Sequence, residues 1–412
     1  MDGSHHGTGQ AEQGGEGLIR LLAFTDDPAL PSGYGNVARH VLKPLADSGA
    51  YEIHICANGY RGDSHDPVEC PYRYYIPQLS KEGDPYGFGR VSELIGRIKP
   101  HVVYMQTDLH VIAAMFKAAP QAFHHLPVVA YTLVDGDPFP DAYLDGVRQC
   151  AQVIVPTQYA KRVITDMDAE LGDRVQVLPY GHDGEVFRPL AETKAECKQI
   201  AAASMRGVDP AWFIVLRVDK NQERKQWPST LRVFAEFAKD KPEARLWMHT
   251  HMLSEYGYDL PALIERYGLR DRVLNSGLTA HHQGVPGEAL NRIYNVADVH
   301  LSTSAGGGWE LSTHEAKAAG TPTIVTDYAA MSEVGQGGVL VPTTGRYTTR
   351  HTVDWGLIDE GAAAAELEVL YRCPDLYARQ RWQGLSWAQG MTWQAIRPAE
   401  QFDALVREVI DA

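Results

Sequence analysis

The stretch Gly306-Gly-Gly-Trp-Glu-Leu-Ser-Thr-His-Glu-Ala-Lys-Ala-Ala-Gly-Thr-Pro-Thr-Ile-Val-Thr326 decides how this chain is read. Gly306, Gly307 and Gly308 stand between a short apolar run at 299–302 and a segment of helical spacing at 311–319. Glycines let a backbone approach a ligand closely, and a helix start offers free N–H groups and the positive end of a dipole. Glu315, one turn inside, is placed to accept hydrogen bonds from sugar or ribose hydroxyls. Ala319-Gly-Thr-Pro then ends the helix and feeds a strand at 323–326.

Outward from that unit, the same alternation recurs in both directions. Upstream, helical patterns at 192–204, 229–239, 260–267 and 287–296 interleave with strand-like runs at 212–218, 244–250 and 273–274. Nearer the N-terminus, strand-like runs at 18–24, 51–57, 101–106, 128–133 and 152–156 are separated by further helical patterns. Alternation of this kind predicts parallel sheets covered by helices on both faces. The expected organisation is a leader at 1–17, a first Rossmann-like domain at 18–190, a second at 191–375, and helices at 376–412 returning to the first. Two such halves leave a cleft between them, the usual place for a ligand.

Composition agrees with two cores. The chain has 412 residues, 44% hydrophobic and 22% charged, as expected of a soluble globular protein of about two domains. No apolar run reaches the roughly 18 residues of a membrane span. The net charge of −14 argues against a nucleic-acid binder, whose phosphate contacts need a basic face. Cys56, Cys70, Cys150, Cys197 and Cys373 are scattered and odd in number, which disfavours a disulfide framework or zinc site and suits a reducing cytoplasm.

An anionic ligand must therefore be met by a few placed cations or by helix starts. Val218-Asp-Lys-Asn-Gln-Glu-Arg-Lys-Gln-Trp227 supplies Lys220, Arg224 and Lys225 directly after a strand, a local charge reversal suited to a diphosphate. A plain solvated basic loop is the competing reading for that segment alone. His249-Thr-His251 and His281-His282 invite a metal reading, but no acidic or cysteine partner stands at helical spacing. Asp298 and Glu333 fit supporting or packing roles. No Gly-x-Ser-x-Gly elbow, P-loop or His-Glu-x-x-His motif is present.

Taken together, these segments resemble the retaining nucleotide-sugar glycosyltransferases of the GT-B fold (family 4-like, group 1). The 306–326 stretch is similar to that family's Glu-Gly-Phe/Trp-Gly-Leu signature, followed by a second glutamate and Ala-x-Gly-x-Pro. The second glutamate matches Glu315, which the resemblance makes the ribose contact. The first falls at Gly307, and a glutamate stands instead at Glu310, where the family has glycine. The 218–227 loop resembles the family's Arg…Lys pair, with Lys220 and Lys225 at the matching spacing and the Asn221-Gln-Glu-Arg-Lys run a common variant. Val175-Gln-Val-Leu-Pro-Tyr-Gly-His-Asp-Gly-Glu-Val-Phe-Arg-Pro189 resembles the interdomain stretch, with His182 where an apolar residue is usual. Pro31-Ser-Gly-Tyr-Gly-Asn36 resembles the N-terminal glycine loop, through Gly33 and Gly35. Asp135, in Tyr131-Thr-Leu-Val-Asp-Gly-Asp-Pro-Phe-Pro140, stands where many relatives have a histidine touching the donor sugar. Asp135-Gly-Asp137 also spells a metal-binding Asp-x-Asp, read here as coincidence because the cations already balance a diphosphate.

The resemblance implies sugar transfer with retention, without a metal or other cofactor, from a UDP- or GDP-sugar. Expected catalytic residues are Glu310, Asp135 and Lys225. Gly33, Gly35, Lys220, Asn221, Arg224, His249, Gly307, Gly308, Trp309, Leu311 and Glu315 are the expected donor contacts. The acceptor stays open among a glycan, a small molecule and a modified DNA base of the phage type, as does oligomer formation. A phosphorylase, an epimerase and a non-catalytic sugar-nucleotide binder are the competing functions.

Overall fold

The computed structural model describes residues 17–77, 83–277 and 284–412. Residues 1–16 of the 1–17 leader, and His281 and His282, lie outside those residues.

The first domain begins with β1 (Ile19–Asp26), α1 (Gly33–Asp47), β2 (Tyr51–Asn58) and the short β3 (Arg73–Tyr75). It continues through α2 (Val91–Ile98), β4 (Val102–Gln106), α3 (Leu109–Ala118), β5 (Val128–Tyr131), β6 (Gln152–Val155), α4 (Gln158–Met167) and β7 (Val175–Val177). Its seven strands pair in the order β3-β2-β1-β4-β5-β6-β7, all parallel. The central strands are buried on both faces, which is why they read as continuous apolar runs.

The second domain comprises α5 (Lys194–Ala203), β8 (Phe213–Val218), α6 (Trp227–Phe237), β9 (Ala244–His249), α7 (Leu260–Arg266) and β10 (Val273–Asn275). After α8 (Gly287–Val296) come β11 (Val299–Ser302), α9 (Leu311–Ala318), β12 (Thr323–Thr326), α10 (Met331–Val334) and β13 (Val339–Val341). These six strands are again all parallel, in the order β10-β9-β8-β11-β12-β13. The fold class is thus GT-B: two parallel-sheet α/β domains. In each sheet the strand order reverses, beside β1 in the first and beside β8 in the second, and ligands of such sheets bind at the strand ends there.

Three short strands, β3, β7 and β13, escape a pattern reading because so few residues hardly show a period. So does an antiparallel hairpin, β14 (Thr343–Thr348) and β15 (Asp354–Ile358), whose alternation is masked by half-exposed threonines. The chain ends with α11 (Glu360–Arg372), α12 (Pro374–Gln389), α13 (Trp393–Ile396) and α14 (Pro398–Asp411). Helix α12 packs on α9 of the second domain, and α14 packs on α1 of the first. The crossing runs beside the outgoing linker: His182 N–H donates to the Met391 carbonyl, and Trp393 N–H to the His182 carbonyl. Gly181 is required there, since a Cβ would lie 2.8 Å from the Trp393 ring.

Candidate active site

Chain direction in parallel sheets brings the C-terminal ends of β1, β8 and β11 to one side of each domain, and the loops that follow them meet between the domains. The β11–α9 loop packs on the β5 end of the first domain. A Cβ on Gly306 would lie 2.6 Å from the Asp135 carbonyl oxygen, and one on Gly308 would lie 2.5 Å from Leu133 Cβ. These two positions are glycine because another backbone or side chain occupies the space. Gly307 differs: a Cβ there would meet Glu310 Cγ and Met331 at ordinary contact distance, 3.5 Å.

Under this loop lies a chain of buried charges. Lys225 Nζ is 2.9 Å from Asp219 Oδ1 and 3.0 Å from Glu310 Oε1. Asp219 also binds Arg217 at 3.0 Å. Arg217 is wholly buried, donates to Thr230, Thr303 and Ser304, and lies over the Trp227 ring at 5.2 Å. The other Glu310 oxygen accepts from the Ser302 and Thr313 hydroxyls. Burial alone would raise the Glu310 carboxyl, but Lys225, Arg217 and the serine hydroxyls outweigh it and hold it well below the usual carboxylate range. Glu310 is therefore an ionised, fully partnered carboxylate turned inward towards Lys225. Its Cγ passes beside the bare Cα of Gly307.

That pairing changes which cations face the cleft. Lys225 is already matched by two carboxylates, whereas Lys220 is exposed and Arg224 is half-buried. Arg224 donates to the Gly306 carbonyl at 3.1 Å, and its own carbonyl accepts from Ala305 N–H. Across the gap, burial pushes the Asp135 carboxyl above its ordinary range, and the Arg224 guanidinium offsets only part of that rise. Asn221 is committed to structure: its amide bridges His251 and Tyr258, tying the 251–258 loop to the β8 end.

Helix α9 starts with no side-chain cap, because its N-cap residue is Glu310 and that carboxylate points elsewhere. Leu311 reaches the first domain, where a Cβ on Gly33 would lie 3.8 Å from Leu311 Cδ1. The starts of α1 and α9 thus face each other across the cleft. Gly35 sits inside the first turn of α1 with no room for a side chain, since a Cβ would lie 2.6 Å from the Asp27 carbonyl oxygen. Trp309 turns its ring onto Tyr180 and His314, at centroid distances of 5.7 and 5.9 Å. Glu315 is buried and accepts from the Tyr294 hydroxyl at 2.8 Å; burial raises its pKa to about 7 against that hydrogen bond. His249, at the end of β9, contacts Ser276 Oγ at 2.7 Å and is lowered to about 4 by burial, with His251 adding to the effect.

Among the described residues, no group of three or more His, Cys, Asp or Glu side chains has metal-binding geometry. Three participants went unnoticed in the sequence. Arg217 was hidden inside β8, although a charge in an otherwise apolar run is the signal that marks it, and Asp219 stands directly after that strand, among the cations that drew attention instead. Trp355, from the hairpin, covers Gly306 from a part of the chain with no pattern connecting the two.

The comparisons with known proteins fall on this geometry. Residues 213–349, within the second domain, match the family model described as glycosyl transferases group 1. The chain is 29% identical over 202 residues to the D-inositol 3-phosphate glycosyltransferase of Paenarthrobacter aurescens, covering 48% of this chain and 44% of that one. It is 24% identical over 271 residues to the mannosylfructose-phosphate synthase of Agrobacterium fabrum, covering 63% and 53%. The matches thus span about half the length of these relatives. Among solved structures, the sucrose-phosphate synthase of Thermosynechococcus elongatus superposes with a TM-score of 0.72 at 16% identity, over 96% of this chain and 99% of that one. Anabaena HepE, in complex with UDP and glucose, superposes with a TM-score of 0.70 at 16% identity, over 95% and 100%. At that identity these likenesses show the fold. No helix among the described residues is long and apolar enough to cross a membrane.

Proposed function

We propose that this chain is a glycosyltransferase that moves a sugar from a nucleoside-diphosphate sugar, bound at the mouth of α9, to an acceptor on the first domain. The observation that carries the reading is the uncapped start of α9 facing the start of α1, with Arg224 fixed at the same loop. The dipole of α9 and one guanidinium supply positive charge where a leaving diphosphate would develop its negative charge, and preorganised charge of this kind is commonly the largest catalytic contribution. Lys220 adds an exposed cation at the rim. With these groups the reaction needs no metal ion.

Glu315 takes the ribose, and its Tyr294 partner orients it. Asp135 contacts the sugar from the opposite domain. Lys225 and Glu310 act from beneath: the ion pair fixes the loop whose backbone N–H groups meet the donor. Retention of anomeric configuration is part of the proposal by family resemblance, as is a cytoplasmic location, in keeping with five free cysteines. A sugar-nucleotide binder without turnover is the competing reading, favoured by one feature: Gly307 carries no carboxylate and Glu310 is already paired.

A thermal-shift screen with UDP, GDP, ADP and their glucose conjugates tests the donor site. A true donor nucleotide at about 100 times its Kd raises stability by about 2.7 kcal/mol. If none of them shifts the transition, the donor assignment fails. Sugar release from the stabilising conjugate, followed by NMR of the anomeric proton, separates an enzyme from a binder and gives the stereochemical outcome.

A further inference from the structure

We propose a second carbohydrate site on the outer face of the second domain, where Trp382 forms a stacking platform for a neutral oligosaccharide of all-equatorial pyranose rings. A concavity of about 430 Å³ lies between α12 and the loop from α10 to β13, lined by Gly337, Gly338, Trp382, Gln383, Ser386 and Trp387. That volume falls within the range of about 300–1,000 Å³ typical of small-molecule sites.

The lining specifies the ligand class. Trp382 is 68% exposed, an unusual state for the largest apolar side chain, on a helix whose other aromatic neighbour is half-buried. Trp387 is engaged below: Lys317 Nζ sits 3.0 Å from its ring centroid while donating to the Val334 and Gln336 carbonyls. The free indole face is therefore that of Trp382. Around it stand an amide (Gln383), a hydroxyl (Ser386) and the backbone of two glycines, and no ionic side chain is among the lining residues. Gly337 has a left-handed backbone, and a Cβ there would lie 2.8 Å from the Gln383 carbonyl oxygen, so the glycine keeps the loop pressed against α12.

An apolar plate edged by uncharged donors and acceptors fits a pyranose whose hydroxyls are all equatorial. Such a ring presents axial C–H bonds to the indole and hydroxyls to the edge. No lining residue carries a cation to meet an anionic ligand, and a purely apolar one would leave the amide and hydroxyl without partners. The patch is built on α12, which packs on α9, so it lies behind the helix whose N-terminus forms the donor mouth. A long acceptor glycan anchored on Trp382 would be held to the enzyme independently of the donor.

Isothermal titration of the full chain with cellohexaose is the test, run beside a titration with the donor nucleotide. Wild type should bind cellohexaose saturably. Trp382→Ala should weaken it by about tenfold, the equivalent of one lost aromatic contact. Trp382→Tyr should retain most of the affinity, and nucleotide binding should be unchanged in both. No saturable heat with wild type, or equal affinity in Trp382→Ala, overturns the proposal whatever the nucleotide result. So does sedimentation velocity showing that Trp382→Ala abolishes a wild-type dimer, which would make the patch a contact between copies.

Discussion

The two helices that open onto the cleft begin in opposite ways. Helix α1 has 15 residues and a conventional cap: Ser32 Oγ accepts from Gly35 N–H at 2.9 Å and donates to Asp26 at 2.6 Å. Helix α9 has eight residues, and its N-cap side chain, Glu310, makes no capping bond. Every helix start leaves unsatisfied N–H groups. In α1 the protein's own side chain takes one of them. In α9 the carboxylate in position to do so is drawn away by Lys225, and the N–H groups stay open. On the proposed reading, the difference separates two uses of a helix start: the first is closed by its own side chain, and the second, which faces the cleft, is left for the donor. The buried charges below α9 are what keep it open.

The largest test of that contrast removes the base of the charge network. Arg217→Ala leaves Asp219 and its neighbours buried with too little positive charge, and should cost about 3–5 kcal/mol of stability, read from urea denaturation. A loss below about 1 kcal/mol would mean that the network is solvated and that α9 is uncapped for another reason.

Arg224→Ala keeps the network but removes a cation from the cleft. Nucleoside-diphosphate affinity should fall by about 1.5–3 kcal/mol, the scale of a charged hydrogen bond, with the plain nucleoside hardly affected. Equal losses for both ligands would place the diphosphate elsewhere.

Glu315 provides a pH test on the same helix. Its carboxyl titrates near 7 because burial favours the neutral acid. Only the ionised form accepts two ribose hydroxyls without competition from its own proton, so apparent donor affinity should rise by about tenfold from pH 6 to pH 8. The sign for stability is opposite. The raised pKa favours the folded state below the ordinary carboxylate range, and that benefit is lost as pH rises through about 7. Glu315→Gln should flatten the binding profile and gain stability relative to wild type as pH increases. A wild-type affinity that is flat across this range would remove Glu315 from ribose recognition.

The smallest expected effect belongs to α1. Ser32→Ala should cost about 1 kcal/mol of stability, as for an ordinary cap, and should leave nucleotide affinity within a few-fold of wild type. A larger loss in nucleotide binding than in stability would show that α1 is a ligand-binding start after all, and the contrast with α9 would collapse.

The sequence alone determined the elements with room for a period. Strands such as Val102–Gln106 were visible as continuous apolar runs, and helices such as Gly287–Val296 because apolar spacing repeats over enough residues. The glycine loop before α9 and the cations after β8 were legible too, because loop chemistry is local: Gly306 and Arg224 each lie in the loop that follows a strand. Tertiary structure decided how those loops are used. That Lys225 faces Asp219 and Glu310 instead of the cleft depends on β8 and β11 being neighbours in the sheet, though the paired Val215 and Val299 stand 84 positions apart in the chain. That Gly306 and Gly308 must be glycine, while Gly307 need not be, depends on Asp135, Trp355 and Leu133 arriving from elsewhere. Glu310 shows the physical reason most clearly: a carboxylate at a helix start is a candidate ligand contact by local rules, and only a lysine 85 positions away, brought within 3.0 Å, turns it inward. Hydrogen bonds and ion pairs act over a few ångströms, and the sequence does not record which distant residues folding will bring that close.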